Sequence, residues 1–134
     1  VGGTLVHVLA AHLGLRIRER RFQVRQIVEY VDSVRNTLFV VLGDFNDWLP
    51  GRSVVHVLDH RLGRPPRPAS FPAYRPVVPL DRIWVHPTHA LRRIFTHKTP
   101  TARLASDHLP VVAEMILQSP VESSVYSPQS TVQA

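Results

Sequence analysis

The sequence predicts an α/β fold, and three observations carry that prediction. Two apolar, β-branched runs occur at 4–11 and 37–42. A stretch with helical periodicity separates them at 19–34. After a proline-rich stretch, three more strand-like runs follow at 81–86, 91–97 and 110–117.

The first run, Thr4-Leu5-Val6-His7-Val8-Leu9-Ala10-Ala11, reads as a buried strand leading into His12, and Gly14 then permits a turn. In the helix, Val24, Ile27, Val28 and Val31 follow the i, i+3, i+4, i+7 rule and predict one buried face. Arg18, Arg20, Arg21 and Arg25 are expected on the remaining surface, and Asn36 is the expected stop. Thr37-Leu38-Phe39-Val40-Val41-Leu42 suits a strand buried on both faces. A second helix is expected near 53–62, with Ser53 as N-cap and Val54, Val55, Leu58 and Leu62 inward. Residues 64–79 hold six of the twelve prolines, which excludes regular structure and predicts a stiffened loop of the functional kind. Strands 4–11 and 37–42 around a helix suggest a βαβ unit, while the closing strands are free to pair antiparallel. The segment from Ser119 lacks periodicity and is expected to be a disordered tail, leaving 1–118 as the domain.

Bulk properties narrow the function classes. A chain of 134 residues suits one domain, and 44% hydrophobic with 19% charged residues suits a soluble globular one. Without cysteine there is no disulfide, thiolate metal site or cysteine nucleophile. No run approaches the roughly 20 apolar residues of a membrane span, and no signal peptide is visible. The cytoplasm is the favoured compartment. The formal charge of +6 is almost all arginine, Lys98 being the sole lysine, which suits a phosphate-bearing ligand as well as it suits base composition. For the arginines at 16–25, a solvated helix face is the expected role.

The chemistry lies in four strings, each at an end of a strand-like run: His12-Leu13-Gly14-Leu15, Gly43-Asp44-Phe45-Asn46, Leu80-Asp81-Arg82-Ile83 and Ser106-Asp107-His108. On extended backbone Asp44 and Asn46 share a side and Phe45 takes the other. A carboxylate beside a neutral amide suits a phosphate and its metal, although Asp and Asn are also ordinary turn residues. Asp107-His108 taken alone reads as structural more often than as a site. Asp81 shifts that balance, because a carboxylate fixes the tautomer of a catalytic histidine. The expected dyad is therefore Asp81 and His108. His7, His56, His60, His86, His89 and His97 lack such a context and read as structural or surface residues.

In this order the four strings resemble the second half of the endonuclease/exonuclease/phosphatase (DNase I-like) superfamily. Glu19-Arg20-Arg21-x-Gln23 after His-Leu-Gly-Leu is similar to its uncharacterised bacterial members. The resemblance runs from about residue 4 to 118. It implies part of a two-layer mixed β-sandwich flanked by helices, truncated to the C-terminal half. It also implies a divalent-metal-dependent phosphoester hydrolase using Mg²⁺ or Mn²⁺, with water attacking phosphorus in line. Asp44 and Asp107 would serve metal and water, and Asn46 and His12 would hold phosphate oxygens. His108, oriented by Asp81, would be base or transition-state stabiliser. The superfamily's principal glutamate ligand and an early asparagine have no counterpart here and are expected upstream; Glu19 and Glu29 are poor substitutes.

The substrate class stays open among nucleic acid, phospholipid and inositol phosphate. The loop 64–79 and Asp47-Trp48-Leu49-Pro50 are the expected selectors. Half a sandwich would also expose apolar surface, able to pair with the missing N-terminal half or with another chain. Two rival readings stand beside the hydrolase. One is a non-catalytic binding or assembly module that keeps the fold. The other is sequence-independent nucleic-acid binding through arginines, for which there is little aromatic interleaving.

Overall fold

In the computed structural model, which describes residues 4–34, 36–48 and 53–117, the chain begins with a βαβ unit. Strand β1 (Val6–His12), helix α1 (Ile17–Val34) and strand β2 (Leu38–Asp44) form it. β1 and β2 pair in parallel, from Val6 opposite Leu38 to His12 opposite Asp44. Strand β3 (Asp81–His86) lies antiparallel on the other side of β2, giving the order β1-β2-β3. Helix α2 (His56–Leu62) falls between β2 and β3 in the chain. Strands β4 (Leu91–Thr96) and β5 (Val111–Met115) form a second, antiparallel pair, with helix α3 (Pro100–Ala105) between them. The closing strands thus pair antiparallel, as the sequence left open.

Side-chain alternation divides the first sheet into two faces. Phe39, Val41 and Trp84 face the helices, where they close a core with Leu13, Val24, Ile27, Val31, Phe45, Val54, Val55, Leu58 and Leu62. Val40, Ile83 and Val85 form the other cluster, against which Leu42, Ile94, Val111, Ala113 and Met115 pack only partly buried. Gly43 permits the close approach of β1 and β2: at φ +144 its Cβ would sit 1.7 Å from the Ala11 carbonyl oxygen.

Three local expectations need correction. β1 is not buried; it is an edge strand among the described residues, and Val8 is 61% exposed because it points, with Ala10 and His12, to the sheet face that the described residues leave uncovered over this strand. Arg20 leaves the surface and is buried, its Nη1 donating to the Leu15 carbonyl at 2.7 Å. Ser53 does not cap α2. Its hydroxyl donates to Asp47 Oδ2 at 2.5 Å, and Asp47 accepts the Val54 and Val55 amides at 3.1 and 3.4 Å. Loop 64–79 is irregular but tied together, Phe71 and Val78 forming an isolated antiparallel bridge. The expected tail from Ser119 lies outside the described residues. Among the described residues no helix is long and apolar enough to cross a membrane.

Candidate active site

Along β2, Leu38, Val40 and Leu42 point toward the β4–β5 side, and Asp44 is the next residue in that set. Its register partners are His12 on β1 and Asp81 on β3. Strand pairing therefore sets three polar side chains in a row where the apolar rows stop. The loop entering β5 brings His108 to the same place: His108 Nδ1 donates to Asp81 Oδ2 at 2.8 Å. That hydrogen bond puts the proton on Nδ1 and leaves Nε2 available for chemistry.

Burial by itself would lower the His108 pKa. The hydrogen bond to Asp81 and the charges of Asp81, Asp44 and Asp107 outweigh it and hold the imidazole above its ordinary value. Three carboxylates thus act on one ring, two of them from separate strands and one from the His108 loop. That concentration of negative charge repels a bare phosphate unless a cation offsets it.

The Gly43–Asn46 string departs from the extended backbone expected of it. β2 ends at Asp44, and Asn46 takes a left-handed conformation with φ 48. The Asn46 amide donates to Asp44 Oδ1 at 2.9 Å, and its Nδ2 donates to the Leu13 carbonyl at 2.8 Å. Asn46 therefore ties Asp44 to the turn after His12, with one Nδ2 hydrogen uncommitted among the described residues. Phe45 is fully buried and packs edge-on against Trp84. His12 and Asp107 are exposed at the ends of their segments. The Ser106 hydroxyl accepts the His108 amide at 3.1 Å, which shapes the loop carrying both residues.

Several residues that hold the site escaped the sequence reading. Ser70, fully buried, donates from Oγ to Asp81 Oδ2 at 2.5 Å. Arg82 and Asp59 are buried behind the sheet. Arg82 donates from Nη2 to the Asp47 carbonyl at 3.0 Å, while Asp59 pairs with Arg67 and accepts Trp84 Nε1 at 3.1 Å. Burial and Arg67 hold the Arg82 guanidinium below its ordinary pKa, with Asp47 and Asp59 pulling the other way. Asp47 is buried under α2 and cannot be a substrate selector, whereas Trp48 is exposed. Leu49 and Pro50 lie outside the described residues. A buried Asp next to the Gly-Asp-Phe-Asn string offers no sequence signal that separates it from a surface turn.

The endonuclease/exonuclease/phosphatase family model matches residues 2–108, a span that takes in all four strings. The chain belongs to this family. It is 33% identical over 130 residues to the Uncharacterized protein YbhP of Escherichia coli strain K12, covering 86% of the chain and 48% of that relative. The chain therefore spans about half the length of the curated relatives it matches. A functionally unknown conserved protein from Enterococcus faecalis V583 superimposes with TM-score 0.65 at 22% identity, over 83% of the chain and 50% of that structure. The Bacteroides thetaiotaomicron mannosyl-6-phosphatase Bt3783 superimposes with TM-score 0.59 at 18% identity, over 82% and 51%. An endonuclease/exonuclease/phosphatase family protein from the same organism gives TM-score 0.53 at 16% identity, over 81% and 48%. The mixed α/β fold is thus that of the DNase I-like family.

Family enzymes generally use divalent metals. Among the described residues no group of three or more His, Asp or Glu side chains could hold a metal ion. Mg²⁺ is commonly held by only one or two carboxylates together with water and phosphate oxygens. Asp44 and Asp107 fit that smaller requirement as hard oxygen donors, but they do not form a cage.

Proposed function

We propose that this chain carries the Asp-His half of a phosphoester-hydrolase site and that the protein hydrolyses phosphodiesters or phosphomonoesters with Mg²⁺ or Mn²⁺. The observation that carries the reading is the Asp81–His108 hydrogen bond, set in a row with His12 and Asp44 and beside Asp107. Asp81 fixes the ring so that Nε2 faces the reacting group. In its neutral form Nε2 takes a proton from the attacking water; as imidazolium it donates to a phosphate oxygen. Asp44 and Asp107 would supply carboxylate ligands to the ion, which when bound neutralises phosphate charge. His12 and the Asn46 side-chain amide would hold phosphate oxygens. The remaining ligands would come from the part of the protein that corresponds to the other half of the relatives. On this reading residues 1–118 are the C-terminal half of the domain, and the partly covered apolar residues around the Val40, Ile83 and Val85 cluster pair with the other half or another chain.

The test is hydrolysis of an aryl phosphodiester with and without Mg²⁺ or Mn²⁺, by this chain and by a longer protein spanning the relatives' full length. Metal-dependent turnover in the longer protein is expected to fall by about 100-fold or more in Asp44→Ala and His108→Ala. Turnover that is absent from both proteins while they remain folded would overturn the reading.

A further inference from the structure

We infer that Ser70 is a positioning residue of the site: its buried hydroxyl and its backbone hold both members of the Asp81–His108 pair in register. This rests on the hydrolase reading for its catalytic consequence, but the geometry itself does not. The Ser70 hydroxyl donates to Asp81 Oδ2, the same oxygen that accepts His108 Nδ1. The Ser70 carbonyl accepts the amide of Leu109, the residue after His108, at 2.8 Å. One residue therefore touches the carboxylate through its side chain and the histidine's segment through its backbone. The ring of Phe71, the next residue, lies 5.0 Å from the His108 ring and limits its rotation.

The segment that carries Ser70 is itself immobilised. The Ala69 carbonyl accepts Thr96 Oγ1 from β4 at 2.9 Å. The Ser70 and Phe71 amides both donate to the Val78 carbonyl at 3.1 Å, and the Phe71 carbonyl accepts the Val77 and Val78 amides at 2.9 Å. On the far side, the Ala73 amide donates to the Asp107 carbonyl at 2.7 Å. Every backbone polar group from the Ala69 to the Phe71 carbonyl is thus committed, and the hydroxyl is delivered at a defined point. A carboxylate free to rotate can accept from His108 through either oxygen. Filling Oδ2 from a fixed hydroxyl removes that freedom, and with it the freedom of the imidazole. This gives the proline-rich loop a task at the chemical centre, beyond any part in substrate choice.

The experiment compares wild type, Ser70→Ala, Ser70→Thr and Asp81→Asn by ¹⁵N NMR of the His108 ring, at a pH where the ring is neutral, after thermal unfolding has shown each to be folded. Wild type is expected to show the Nδ1–H tautomer. Ser70→Ala should admit the Nε2–H tautomer, Asp81→Asn should do so more fully, and Ser70→Thr, which restores the hydroxyl, should return the wild-type spectrum. In the longer, hydrolytically competent protein, Ser70→Ala should lower kcat about tenfold with KM unchanged. A Ser70→Ala protein with the wild-type tautomer overturns the assignment, whether or not the threonine variant folds. Absence of hydrolysis in wild type would instead count against the hydrolase reading, leaving the tautomer to decide the role of Ser70.

Discussion

The two faces of the β1-β2-β3 sheet are built from similar residues and finish differently. On the helix side Val41, Val55, Leu58 and Trp84 are all fully buried, because the βαβ crossover and α2 close over them within a short stretch of chain. On the other side Val40, Ile83 and Val85 are buried, but Leu42, Ile94, Val111 and Met115 remain only partly covered by the two-stranded β4–β5 sheet. The polar row of His12, Asp44 and Asp81 belongs to this less enclosed face. The chain spends its complete packing on holding the strands and keeps the open side for chemistry, as loops and strand ends on a rigid scaffold commonly do.

The largest test of that contrast is at the sheet itself. Gly43→Ala should cost about 3 kcal/mol or more, seen as loss of the cooperative urea transition, since both the positive φ and the Ala11 carbonyl oppose a side chain there. Next, Trp84→Ala on the closed face should cost about 3–5 kcal/mol in the same measurement. A like-for-like comparison sharpens the point. Val41→Ala, which empties an enclosed site, should cost about 2 kcal/mol, whereas Val111→Ala on the open face should cost below about 1 kcal/mol. Equal costs would show that the two faces are equally enclosed in solution.

The smallest effect concerns pH. The folded protein raises the His108 pKa above 6.5, so folding favours the imidazolium. Its contribution to stability is fully present below that unfolded value and is lost as pH rises through the elevated folded one. The unfolding temperature of the metal-free protein should therefore fall slightly across that window, and His108→Gln should flatten the slope. A wild-type slope of opposite sign would mean that burial outweighs the three carboxylates.

Much of this was legible in the sequence. Val24, Ile27 and Val31 announced a one-sided helix, and the run ending at Leu42 announced a buried strand, because periodicity and β-branching are local properties. The Asp81–His108 pair was legible only as an expectation, since its members stand 27 positions apart and lie with separate sheets, so the loop entering β5 had to be packed against β3 to join them. Asp47 and Arg20 misled for a common reason. Charged side chains read as surface, yet each is buried where backbone groups of a neighbouring turn or helix end partner it, although Arg20 Nε is left without a partner among the described residues.

By itself the sequence determined the strands, the two longer helices, their order and the residue types at the strand ends, because these follow from hydrophobic period, turn chemistry and side-chain functional groups; the short α3, with no buried face, left no such signal. Tertiary structure alone decided which of those residues meet. The β1–β2 and β2–β3 registers set His12, Asp44 and Asp81 side by side, since a shift of one residue would turn each to the opposite face. Loop 64–79, which local propensity leaves shapeless, acquired a fixed form through its Phe71–Val78 bridge and through hydrogen bonds to β4 and the His108 segment, and so brought the unremarked Ser70 beneath the pair.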